Sequence, residues 1–81
     1  MREKIRLFIV DNFLFGDAKG LEDSTSLLGA GVVDSTGILE MVSFLEQEFA
    51  IKIQDEELVP EHLDSINSIS LFLQRKLGVA T

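Results

Sequence analysis

The chain has 81 residues, 46% of them hydrophobic, and a formal charge of −7 from fourteen acids against seven lysines and arginines. A chain this short encloses one modest core, so a single domain over residues 1–81 is expected, and its apolar content is too high for a disordered tail. The acidic balance argues against binding nucleic-acid phosphates, and the lack of any cysteine excludes a disulfide framework or a thiolate metal site.

In chain order, the first predicted element is a helix from Arg2 to about Phe15. Ile5, Phe8, Ile9 and Phe13 fall at helical spacing, and Leu7, Val10 and Leu14 widen the stripe. Gly16 and Gly20 then bracket a polar stretch, "GDAKGLEDSTS", and no long periodic segment returns before Asp34. A loop of this length in a compact domain must be packed or functional. Leu21, Leu27, Leu28, Val32 and Val33 are its apolar anchors, with Gly29 and Gly31 allowing tight geometry between them.

The clearest element is the helix from about Ser35 to about Phe49, where Ile38, Met41, Val42, Leu45 and Phe49 trace one apolar stripe. After it come Ile51, Ile53, the acids Asp55, Glu56 and Glu57, and Pro60, a set suited to a short turn or helix. The last helix starts near Ser65, a good N-cap. It carries Ile66, Ile69, Leu73 and Leu77 on one face and stops at Gly78 behind Arg75 and Lys76. The expected fold is all-α: a small bundle of three main helices plus a short one, with a long ordered loop after the first.

Charge is unevenly placed. Leu21 to Ile51 contains no lysine or arginine but holds Glu22, Asp23, Asp34, Glu40, Glu46 and Glu48, either a solvated surface or a field that attracts basic partners. The opening Met-Arg-Glu-Lys is no signal-peptide core, and no apolar run nears the roughly 20 residues of a bilayer span. A soluble, cytoplasmic protein is expected.

Enzymatic readings find little support. Serine hydrolysis needs a base in reach, and the one histidine, His62, sits among acids near Pro60 and reads as a surface residue of a short connecting helix. Asp55, Glu56, Glu57 and Glu61 lack the alternation of a calcium loop and read as the start of a short helix.

Ser35, in "GVVDSTGILE", is the residue of interest. On local rules it is a helix cap. At about 100° per residue, Thr36, Leu39, Glu40, Ser43 and Gln47 share the outward face beside it. An anion on Ser35 would meet the favourable end of the helix dipole.

The segment "LLGAGVVDSTGILEMVSFLEQEFAIKIQDEELVPEHLDSINSISLFL" resembles the heart of an acyl carrier protein. The matching order is an apolar-Gly approach, Asp34-Ser35, Glu40 five residues on, the helix end at Glu48-Phe49, Ile51 and Ile53, and then "DEEL" and "LDSINSISLFL". With the first helix and loop, the likeness covers almost the whole chain. It implies that a phosphopantetheinyl transferase attaches 4′-phosphopantetheine from coenzyme A to Ser35. The arm then carries an acyl or aminoacyl thioester, and the chain, a monomer, is a carrier rather than an enzyme. The resemblance further implies a partner-recognition face of Asp34, Thr36, Leu39, Glu40, Ser43 and Gln47. It would serve an AMP-forming acyl or aminoacyl ligase and acyltransferases or synthases.

Fatty-acid-synthesis carriers usually read Asp-Ser-Leu-Asp, whereas Thr36 and Gly37 stand here, and Ser43 replaces a bulky apolar residue. Glycine two places after the serine is similar to D-alanyl and some aminoacyl carriers and favours a dedicated carrier with its own ligase. The competing reading is a non-carrier acidic interaction module in which Ser35 only caps the helix.

Overall fold

A computed structural model describes residues 2–17 and 20–78. Its helices are α1 (Arg2–Phe13), α2 (Ser35–Phe49), α3 (Pro60–Leu63) and α4 (Ile66–Leu77), with a 3-10 turn at Asp55–Glu57 between α2 and α3. The architecture is the expected all-α bundle, and no strand occurs among the described residues. Ala18 and Lys19, inside the polar stretch read as loop, lie outside the described residues.

α1 buries Ile5, Ile9 and Val10, while Leu14 is half-buried and Leu7 faces solvent, so the stripe is narrower than its composition suggests. It also ends earlier than the spacing predicts. Phe15 adopts φ +53° and Gly16 φ +85°, and the Gly16 amide turns back to the Val10 carbonyl at 3.0 Å.

α1 runs antiparallel along α2 through one seam. Lys4 pairs with Glu48 at 2.7 Å, the rings of Phe8 and Phe44 stack at 4.2 Å, and Phe13 lies against Gly37. α2 points Met41 and Leu45 fully into the core, with Ile38, Val42 and Phe49 half-buried around them. It closes at Ala50, held in the left-handed conformation with φ 53°.

The long loop is held down at both ends of α4's approach. Leu21, Leu27 and Val33 are buried, and Val32 is half-buried. Leu28, expected as an anchor, is exposed; it is the Leu28 amide that is held, not the side chain. The Asp64 carboxylate accepts hydrogen bonds from the Ser26 hydroxyl (2.6 Å) and the Leu28 N–H (2.8 Å), and the Asp64 carbonyl accepts from the Leu27 N–H. On the other side, Arg2 and Arg6 both engage the Asp23 carboxylate, Arg6 donates to the Leu21 carbonyl, and the Asn67 amide donates to the Asp23 carbonyl.

α4 begins as expected, with the Ser65 hydroxyl accepting from the Ser68 N–H at 3.0 Å, and ends at Gly78 with φ 70°. Ile66, Ile69 and Leu73 are buried, but Leu77 is exposed. Ser70, on the same stripe, is buried, and Phe72 on the neighbouring flank is buried as well, where His62 of α3 stacks on it. His62 is accordingly half-buried rather than a surface residue. Its ring stacks on Phe72 at 4.7 Å, and Nδ1 lies 2.9 Å from the Glu57 carbonyl.

The acid run forms a turn with a defined partner. The Lys76 ammonium hydrogen-bonds the Glu57 carboxylate at 2.8 Å, and the Gln54 N–H donates to the same side chain at 2.9 Å. Together they hold the Glu57 carboxyl below its ordinary range, with the lysine bond as the larger cause. A depressed carboxyl adds stability above its unfolded pKa, and that stability is lost as pH falls through the folded value. Acidification from about pH 6 to about pH 3 is therefore expected to lower the urea midpoint of the wild type more than that of Glu57→Gln. Equal shifts would remove Glu57 from the acid response.

Candidate functional site

The segment before α2 is extended at Asp34 (φ −107°, ψ −172°) and becomes helical at Ser35. Both residue types are good caps, and the geometry selects the first. Asp34 Oδ1 accepts the Gly37 N–H at 2.7 Å, while the Asp34 carbonyl receives the first helical bond from Ile38 at 2.9 Å. The expectation that Ser35 caps the helix is thus corrected. Ser35 is the first residue inside α2, exposed, and its hydroxyl has no hydrogen-bond partner among the described residues.

Around it, Asp34, Thr36, Leu39, Glu40, Ser43 and Gln47 are all exposed, Leu39 at 61%. The acids of α2 separate by what they touch. Glu46 accepts the Ile53 N–H at 2.8 Å and Glu48 pairs with Lys4, so both serve the fold. Among the described residues, Glu40 is the one α2 acid with no hydrogen-bond or ion-pair partner, and the field of this face rests on it and on Asp34. Ile38, one turn on from Ser35, lines an apolar cleft with Leu28, Leu58, Val59, Pro60 and Leu63, with about 270 Å³ of free space partly open to solvent.

Gly37 faces the other way. It is buried, and a Cβ there would lie 2.9 Å from Val33 Cγ1 and 3.0 Å from Phe13 Cε1. Glycine in a helix costs about 1 kcal/mol relative to alanine, and here the return is close contact between α1 and the first turn of α2. Helical spacing predicts Phe13 in the core stripe of α1. The structure brings it, half-buried, beside the serine-bearing turn. A glycine at the third helical position was the available signal.

A helical bundle that presents an unengaged serine on the first turn of its best-formed helix, beside one exposed leucine and one uncommitted acid, has the features of a carrier. No family model matches the chain. It is 32% identical over 75 residues to the probable acyl carrier protein PigG of Serratia sp. (strain ATCC 39006), covering 93% of this chain and 86% of that protein. A chain of the solved structure described as "Crystal structure of FAD-dependent dehydrogenase" superposes with a TM-score of 0.76 and 28% identity, over 85% of this chain and 97% of its own length. The chain belongs to the acyl carrier protein family, and its role is that of a carrier.

Proposed function

We propose that the chain is a stand-alone, single-domain, monomeric cytoplasmic carrier that catalyses no step itself and works through 4′-phosphopantetheine on Ser35. The observation that carries this is the division of labour at the start of α2: Asp34 caps the helix, and the Ser35 hydroxyl is exposed and unengaged. In the modification, the Ser35 oxygen attacks the phosphorus of coenzyme A next to the pantetheine. A new P–O bond forms, the pyrophosphate P–O bond breaks with adenosine 3′,5′-bisphosphate leaving, and the hydroxyl proton passes to a base of the transferase. The phosphate then sits at the N-terminus of a helix, where the dipole and the first-turn N–H groups favour a negative charge. The arm supplies the thiol that a cysteine-free chain lacks.

Asp34, Thr36, Leu39, Glu40, Ser43 and Gln47 form the surface offered to successive enzymes, with Leu39 as the apolar contact and Glu40 as the charge. A face this small favours brief docking. The enzymes are a phosphopantetheinyl transferase, an AMP-forming ligase that loads an acyl or aminoacyl group, and synthases or acyltransferases that use it. Thr36 and Gly37 favour a dedicated carrier loaded by its own ligase. The solved structure matched above is described as an FAD-dependent dehydrogenase, so a flavin enzyme joins the candidate partners. It would take a hydride from the tethered group onto the flavin and a proton onto one of its own bases.

The test is incubation of the apo protein with coenzyme A and a broad-specificity phosphopantetheinyl transferase, followed by intact mass measurement. One phosphopantetheine should be added to the wild type and none to Ser35→Ala. No gain in the wild type, or a gain that survives the substitution, would falsify the reading.

A further inference from the structure

We propose that Phe13, on α1, is a specificity-determining contact for the transferase that modifies Ser35, and that Gly37 is present to admit its ring to that surface. The inference rests on the carrier reading above. Its first support is the reason for the glycine. Gly37 sits inside α2, where no left-handed backbone requires it, so its effect is spatial. A Cβ would press on Phe13 Cε1 at 3.0 Å and on Val33 Cγ1 at 2.9 Å. Val33 is buried and stiff at its branched carbon, which leaves the half-buried Phe13 ring as the group that would be displaced outward.

The second support is that the ring is held in place. Phe8 meets it edge to face at 5.7 Å, and Phe8 is itself stacked on Phe44 of α2 at 4.2 Å. The aromatic row therefore fixes Phe13 relative to the same helix that carries Ser35, and part of the ring stays at the surface.

The third support is the reach of the enzyme. Partners that act on the cargo do their chemistry at the far end of a long arm. The transferase must bring a phosphorus atom into bonding distance of the Ser35 oxygen. A standard interface of about 800 Å² per partner extends roughly 16 Å from its centre. Phe13 lies against Gly37, two positions along the helix from Ser35 and about 200° around it, so a footprint of that reach that wraps the start of α2 meets the ring on its α1 flank. What it offers is apolar and aromatic, so the matching contact on the transferase is an apolar or aromatic side chain at the rim of its active site.

The experiment measures modification kinetics and thermal unfolding for the wild type, Phe13→Leu, Phe13→Ala, Gly37→Ala and the double variant Phe13→Ala/Gly37→Ala. All are assayed well below their unfolding midpoints. Phe13→Leu and Phe13→Ala should raise KM by about tenfold, equivalent to ~1.4 kcal/mol, with kcat nearly unchanged. Gly37→Ala should raise KM similarly by displacing the ring, and should add nothing once Phe13 is already alanine. A wild-type KM in folded Phe13→Ala, or KM losses that simply follow the unfolding midpoints, would overturn the inference and leave the carrier reading intact. A wild type that accepts no phosphopantetheine would remove both.

Discussion

Leu45→Ala is expected to cost about 2–5 kcal/mol of folding stability, while Leu39→Ala, on the same helix, should stay within about 0.5 kcal/mol. Leu45 has no exposed surface and belongs to the core cluster that unites Ile5 and Ile9 of α1, Met41 of α2, and Ile69 and Leu73 of α4. Truncating it removes packing at a point where three helices share one interior, and a rigid bundle refills such a gap poorly. Leu39 is 61% exposed and has little packing to lose. Its removal should appear instead as slower modification or loading. Urea unfolding of both variants, read beside their modification rates, checks the pair. Similar stability losses would mean that Leu39 is part of the core and not of the docking face.

Asp64→Ala is the second large effect, with an expected cost of about 2 kcal/mol and a local signature. The carboxylate holds Ser26 and the Leu28 amide, while the backbone of the same residue holds Leu27. Without the side chain, the Leu28 N–H loses its acceptor and the loop keeps its buried leucines but not its polar latch. Amide exchange at Leu28 should therefore accelerate more than exchange within α2, and Ser26→Ala should show a weaker version of the same change. Uniform acceleration across the chain would indicate a global loss of stability and no specific latch.

The contrast between these two residues marks what could be read from the chain. Leu45 was legible because a helix buries residues at a fixed period, and Ile38, Met41 and Leu45 keep that period without interruption. The outward position of Leu39 followed from the same wheel. Asp64 was not legible, because its partners lie 36 and 38 positions away and nothing local distinguishes a latch from a surface acid. The cap at α2 fell between the two cases. Local rules recognised a helix start at Asp34-Ser35, but both side chains are competent there, and only backbone geometry decides which one reaches the Gly37 amide. Phe72 escaped for a related reason: it lies off the stripe of Ile66, Ile69 and Leu73, and its burial depends on α3, whose His62 stacks on it.

The candidate site follows the same division. Ser35 and its exposed neighbours come from one continuous stretch, so periodicity and order were enough to find them. The contribution of α1 depends on the seam that joins Lys4 to Glu48, Phe8 to Phe44 and Phe13 to Gly37, and such a register exists only once two helices have docked. A glycine in a helix is locally a weakness. Its meaning comes from the ring that occupies the space.

Asp34 fastens the start of α2 and Phe13 backs it, and the Ser35 hydroxyl makes none of the hydrogen bonds that hold this turn. The bundle can be complete before anything is attached, and the attachment need not be coupled to folding. A protein whose reactive hydroxyl also held its helix together would change its stability each time the group came or went. With Ser35 as the proposed handle, handle and frame are separate, which suits a carrier passed from one enzyme to another without being remade.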